Sequence, residues 1–200
     1  MSSLNLGRTS FGDPSNKDRV ISKEEASVLL DDWVKNDRLK LHMKQVAALM
    51  KMWAKEKELL SEPDQWKWEL AGLLHDADWD QWPEEHCKRI ISELESRNVD
   101  AEILHAIASH GWRYFGIEPE TKMDQMLYAF DELSGLIHAY SLMRPNGYEA
   151  MEVKGVKKRL KEKTFAANVS REDITDAANR AKVDMDELIS FIIQHQPLVM

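Results

Sequence analysis

Cysteine is nearly missing. Cys87 is the only one in 200 residues, so no intrachain disulfide can form, which suits a reducing, cytoplasmic setting. Glycine (8) and proline (6) are scarce, and that removes the punctuation on which many short strands and turns depend. No stretch of 18 consecutive apolar residues occurs, so no membrane span is expected. The N-terminus MSSLNLGRTSFGDPSNKDRV lacks the apolar centre of a secretory leader. A basic excess is missing too. The formal net charge of −8 argues against nucleic acid as a partner, because phosphate-backbone capture needs a basic face. It leaves room for a small phosphorylated substrate, since a bound metal brings its own positive charge. The chain has no Gly-rich Walker loop, HExxH, paired CxxC or GxSxG.

What remains is rich in helix formers, with 43% hydrophobic and 31% charged residues, seven tryptophans and ten methionines. The length suits one domain with a real core. Ser22 and Glu25 have capping-box spacing ahead of Ala26, Leu29, Leu30 and Trp33, which predicts a helix over 22–36. A second helix is expected over about 38–58, with His42 on its apolar face. Ser61, Pro63 and Asp64 open a third that ends at His75-Asp76. Pro83-Glu84-Glu85 predicts a helix start with His86 in its first turn. Asp100 caps the next helix, which Gly111 ends after His110. Residues 111–120 are expected to be a loop lining a cleft. Thr121 and Asp124 then open a long helix that Pro145-Asn146-Gly147 breaks. Three shorter helices follow, with starts at Ser170 and Asp184 for two of them. No strand-like alternation of useful length is present. The expected class is all-α, with a flexible tail over 1–21, a helical core over 22–147, and C-terminal helices over 148–200 packed on the same domain.

Six side chains stand out in order: His42, His75, Asp76, His86, His110 and Asp131. An adjacent His-Asp pair can place an imidazole and a carboxylate on one ion, and this donor set suits divalent metals such as Zn, Mn or Fe. Each residue also has a plain reading. His42 could be a hydrogen-bonded core histidine, and His75-Asp76 or His110 an ordinary helix end where the dipole favours histidine. Asp131 lies mid-helix beside Leu127 and Ser134, where a buried carboxylate needs a metal or a salt bridge. His105 and His195 read as packing residues, and His138, seven positions after Asp131, as core packing or a neighbour of the site. Helical bundles are known hosts for such convergent ligands.

The segments LKLHMKQVAALM (39–50), WELAGLLHDADWD (68–80), PEEHCKRI (83–90), ILHAIASHGW (103–112) and YAFDELSGLI (128–137) resemble the HD-domain superfamily of metal-dependent phosphohydrolases. The layout is most like that of the small uncharacterised bacterial HD hydrolases. The resemblance implies a helical core in which His42, His75, Asp76 and Asp131 hold one metal. His86 and His110 match the positions that hold a second metal in dinuclear branches. One or two divalent transition ions (Mn, Fe, Co, Ni or Zn) would be the cofactor. Asp76 could bridge them, and two ions can generate a hydroxide and clamp phosphoryl oxygens.

The implied function is hydrolysis of a phosphate ester or anhydride, with a nucleotide as one candidate substrate. Asp78 is expected either to orient a ligand histidine from behind or to accept a proton in catalysis. Glu132 is expected to face away from Asp131 into a salt bridge. Arg113 is the leading phosphate donor, since a guanidinium binds phosphate bidentately. Trp112 and Tyr114 offer stacking surfaces. Lys157 comes from a lysine run whose plain reading is a solvated face. Two rival functions stay open: a di-iron oxygenase built on the same six ligands, and a non-catalytic nucleotide-binding module.

Overall fold

Side-chain caps decide where this chain turns helical. In the computed structural model, which describes residues 4–199, ten α-helices and no strand are present among those residues. The all-α class is therefore as expected. Ser22 and Glu25 form a reciprocal capping box at the start of α1 (Lys23–Trp33). Asn36 accepts from the Arg38 and Leu39 amides to open α2 (Asp37–Glu56). Pro63 lies in the first turn of α3 (Glu62–Leu74). Asp100 caps α5 (Ala101–Ser109), which follows α4 (Lys88–Ser96). Thr121 and Asp124 form a second capping box at α7 (Lys122–Leu142), after the single turn α6 (Trp112–Phe115). Ser170 and Asp184 cap α9 (Arg171–Ala181) and α10 (Met185–His195), behind α8 (Val153–Lys161). No helix of the described residues is long and apolar enough to cross a membrane.

The centre of the fold is α2, α3, α5 and α7. Helix α2 packs along α3 and against α7, and α5 bridges α3 and α7. Helix α9 lies on α7, while α10 crosses α2 and α7. The α2–α3 contact is close because Gly72 lacks a side chain. A Cβ there would stand 2.9 Å from both N and Cα of Ala47, which is backbone and cannot swing aside.

Three local expectations need correction. Residues 4–21 are not a loose tail; residues 1–3 lie outside the described residues. Phe11 is buried, the Arg8 guanidinium makes a bidentate pair with Glu95 (2.8 and 2.9 Å), and the Leu6 amide donates to the Phe115 carbonyl. Apolar anchors and fixed partners outweigh the polar composition of this stretch. Pro83–Glu85 forms only a 3-10 turn, and α4 begins at Lys88, because Cys87 takes a left-handed backbone (φ 67°) that breaks the helix. Residues 112–115 of the expected cleft loop are helical.

Lys67 ties the N-terminal segment to α3 and α5. Its ammonium lies 2.8 Å from Asp100, 3.0 Å from Glu102 and 3.2 Å from Asp18. Burial opposes its charge, but Asp100 and Glu102 outweigh burial and raise its pKa. His105 is structural, as expected: its Nδ1 lies 2.9 Å from Asp124 Oδ2, the same oxygen that accepts from the Glu120 and Thr121 amides.

Two predictions follow from this packing. Gly72→Ala should destabilise the protein by about 1–3 kcal/mol, the usual cost of overpacking, read as a lower urea midpoint. The bond to Asp124 raises the His105 pKa in the fold, so the pair contributes fully below the unfolded histidine value of about 6.5. The contribution is lost as pH rises through the higher folded value. The stability gap between wild type and His105→Gln should therefore be widest in mild acid and narrow on the alkaline side. Urea titrations across pH would read it, and a gap that widened with pH would refute the pairing.

Candidate metal centre

Five of the six ordered residues line one cavity of about 690 Å³, and the sixth, His75, lies directly behind it with no exposure. His42 comes from the second turn of α2 and Asp131 from the middle of α7. His75 is the C-terminal cap of α3, so His75-Asp76 sits where the helix gives way to a turn. That turn is anchored by Asp80, which accepts from the Lys35 and Asn36 amides at the α1–α2 junction. His110 caps the end of α5.

The donor atoms converge on two carboxylates. Asp131 Oδ1 is 2.9 Å from His42 Nε2 and 3.5 Å from His75 Nε2. Asp76 Oδ2 is 3.4 Å from His75 Nε2. The other oxygen of Asp76, Oδ1, is 3.3 Å from His86 Nε2 and 3.4 Å from His110 Nε2. Asp76 thus faces His75 with one oxygen and the His86–His110 pair with the other. His42, His75, Asp76 and Asp131 are close enough for one ion.

Three of the imidazoles are held from behind by their second nitrogen. His75 Nδ1 lies 2.8 Å from the Gly72 carbonyl, His110 Nδ1 2.6 Å from the Ile107 carbonyl, and His86 Nδ1 2.7 Å from Asp78 Oδ1. With Nδ1–H donated, each ring keeps its lone pair on Nε2, pointing inward. His75 Nε2 is buried and has no hydrogen-bond partner. An unsatisfied buried nitrogen is costly, and a cation between it and the carboxylates, whether a proton or a metal ion, removes that cost. The nitrogen and oxygen donors fit a divalent transition metal.

The electrostatics point the same way. Burial opposes the imidazolium at His75, but Asp76 and Asp131 overcome it and hold its pKa well above the usual value. Burial likewise works against ionised Asp76, yet His75 and His110 hold its pKa well below the carboxylate range. Asp131 is lowered in the same manner by His42 and His75 against burial. The cluster demands positive charge at its centre.

Asp78 is fully buried and is not an acid/base group facing the cavity. Its Oδ1 accepts from His86 and from the Cys87 amide (3.3 Å), and its Oδ2 from the Ile90 amide (2.9 Å). Of its two expected roles, the geometry leaves orienting His86, together with capping α4. Cys87 neighbours His86 and His110, but its thiol lies on the Nδ1 side of His110 (3.8 Å) and donates to the Ile107 carbonyl. Burial and the Asp78 charge push the thiol pKa well up, so it is poorly suited to act as a thiolate.

The three expected substrate contacts are elsewhere. Arg113 is paired with Glu172 and, at 3.0 Å, with Asp173 on α9. Trp112 donates to Asp176 (3.1 Å), with Arg180 over its ring at 4.4 Å. Lys157 pairs with Asp186 (2.7 Å) in a separate surface groove on α8. Acidic partners some sixty residues on in sequence captured Arg113 and Trp112, and α10 captured Lys157.

Glu132 departs from expectation in the other direction. It lines the cavity, accepts from the Ser170 amide (3.2 Å), and makes no salt bridge among the described residues. Burial and the neighbouring Asp131 charge push its pKa up to about 8. A signal for it exists in the sequence: Tyr128, Asp131, Glu132 and Gly135, which all line the cavity, form an i, i+3, i+4, i+7 stripe on α7. Phe115 packs its ring on His86 and His110 at 5.2 and 5.3 Å, and Trp79 and Tyr114 are exposed aromatics on the cavity wall.

Comparison with curated proteins and with solved structures returns no match. Residues 41–136 match the family model of the HD domain, a span that contains all six converging side chains. A helical core with His75-Asp76 between the two imidazole sets agrees with that match, and the chain belongs to the HD-domain superfamily, a superfamily of metal-dependent hydrolases.

Proposed function

We propose that the protein is a metal-dependent phosphohydrolase acting on a small phosphorylated substrate held in the cavity over Asp76. The observation that carries this reading is the buried, unpartnered Nε2 of His75 facing two ionised carboxylates. His42, His75, Asp76 and Asp131 would hold one ion; Asp76, His86 and His110 would hold a second, with Asp76 shared. A bound divalent ion supplies Lewis-acid activation of water and neutralises phosphoryl oxygens.

The chain's own part is placement. The three Nδ1 bonds fix the direction of each imidazole, leaving its Nε2 aimed at the space that an ion would occupy. Phe115 walls off His86 and His110 from bulk water. In the net reaction water oxygen bonds to phosphorus, the P–O bond to the leaving group breaks, and the water proton ends on the departing oxygen. The products are inorganic phosphate and an alcohol, or two phosphates from an anhydride. A nucleotide could stack its base on Trp79 or Tyr114. With no lysine or arginine lining the cavity among the described residues, a monophosphate suits it better than a polyphosphate chain.

Two experiments test this reading. Protein purified without chelators should carry a transition metal. His75→Ala should lose most of it, together with at least about a hundredfold in phosphate release across a panel of esters and nucleotides assayed with Mn, Fe, Co, Ni and Zn. Equal metal in both proteins would end the reading; oxygen uptake without phosphate release would replace it with oxygenase chemistry. Asp78→Asn, which turns an NH2 toward one of the three N–H groups that Asp78 now accepts from, should cost some stability and weaken metal binding about ten- to a hundredfold in protein that far-UV circular dichroism shows to be folded, because His86 loses its anionic anchor. Calorimetric metal titration reads this, and unchanged affinity would remove Asp78 from the centre.

A further inference from the structure

His75, His86 and His110 are each held through Nδ1. The other half of the centre, His42 on α2 and Asp131 on α7, depends on where two separate helices lie. A buried polar bridge joins those helices one turn further along. Gln196 opens the 3-10 turn Gln196–Leu198 that follows α10, and its side chain is fully buried. Its Nε2 donates to Gln45 Oε1 (2.9 Å) and to the Ser134 carbonyl (3.1 Å). Gln45 is buried on α2, one turn after His42, and Ser134 is buried on α7, one turn after Asp131. Ser134 Oγ in turn donates to the Asp131 carbonyl (2.9 Å). A second crossing runs from Gln45 Nε2, which donates to His138 Nδ1 on α7 (3.4 Å). That nitrogen also lies 3.1 Å from the Tyr148 hydroxyl.

Packing alone does not account for a glutamine at this place. Its Oε1 is buried without a hydrogen-bond partner, and an unsatisfied buried oxygen destabilises a fold. A methionine of nearly the same shape would fill the space and leave no such atom. What the methionine lacks is the pair of N–H donors, and both are in use, one toward each helix. Hydrogen bonds have preferred lengths and directions, so a bridge of this kind fixes a spacing that apolar side chains allow to slide. We infer that Gln196 is a positioning residue for the metal centre: its amide ties α2 to α7 one turn from His42 and Asp131, and so sets the gap across which those two side chains meet. The inference rests on the metal-centre reading and not on the reaction carried out there. Partners behind a ligand set matter to metal affinity because small displacements of a donor weaken coordination.

The test uses the full chain, stripped of metal and titrated with manganese and with zinc in a calorimeter. Gln196→Met should bind at least about tenfold more weakly than wild type, in protein that far-UV circular dichroism shows to be folded. Gln45→Met cuts the same bridge from the α2 side and should give a similar loss. The double variant should lose no more than either single one, because the two residues act as a unit. Ile189→Ala is the control for stability: it removes buried apolar volume from α10 and has no part in the bridge. It should lower the urea midpoint and leave metal affinity as in the wild type. Wild-type affinity in the two glutamine variants, additive losses in the double variant, or an equal loss in Ile189→Ala would each overturn the inference. If one of the two single variants fails to fold, the other decides the same question. A wild type that takes up no metal would overturn the metal-centre reading and this inference with it. Metal uptake that the glutamine variants leave intact would remove this inference alone.

Discussion

An imidazole whose Nδ1–H is committed to a fixed acceptor has a single direction in which to offer electrons. His75, His86 and His110 are each held in that way, by the Gly72 carbonyl, the Asp78 carboxylate and the Ile107 carbonyl. Their Nε2 atoms converge on the two oxygens of Asp76. A site built from unrestrained histidines would lose rotamer entropy on binding an ion. Here that loss has been taken during folding, when the helix ends were set.

The scaffold serves this convergence through close backbone approach. Gly72 lets α3 rest on the Ala47 backbone of α2, and its carbonyl holds His75. The same residue therefore sets the spacing between the helices that carry His42 and His75 and aims the second ring. Asp78 likewise has a double function: its carboxylate accepts from the Cys87 amide just before α4, from the Ile90 amide in its first turn, and from the Nδ1 of His86. The left-handed Cys87 backbone beside it is an uncommon conformation for a side-chain-bearing residue. It is stabilised in part by the hydrogen bond that its amide donates to Asp78 and by the bond from its buried thiol to the Ile107 carbonyl.

The helices and the six converging side chains are legible because their signals are local. Capping pairs such as Ser22 and Glu25 or Thr121 and Asp124 lie three residues apart, and most of the six converging side chains sit at helix ends or on helix faces. The misread residues depend on long-range partners. Nothing near Arg113 in the sequence announces Glu172 or Asp173, and nothing near Trp112 announces Asp176 and Arg180. Asp78 was ambiguous for a related reason. Its role depends on the turn at Cys87, which a run such as PEEHCKRI disguises as a continuous helix. The N-terminal stretch misled through composition, since polar residues conceal the anchors Phe11 and Arg8.

The diversion of Arg113 has a consequence for how this cavity handles charge. With Glu172, Asp173, Tyr128 and Asp176 it fastens α6 and α9 to α7. Its positive charge is spent on keeping the wall together and does not face substrate. Attraction for phosphate is then left to whatever ion the histidines and aspartates hold, and the remaining wall is acidic and aromatic. A basic wall would attract phosphate at any metal loading. On the proposed hydrolase reading, the Asp76 and Asp131 carboxylates repel anions until the centre is filled, which would make binding of phosphate conditional on binding of metal. On that reading, the arrangement that looks unsuited to a phosphorylated substrate would couple substrate capture to a loaded site.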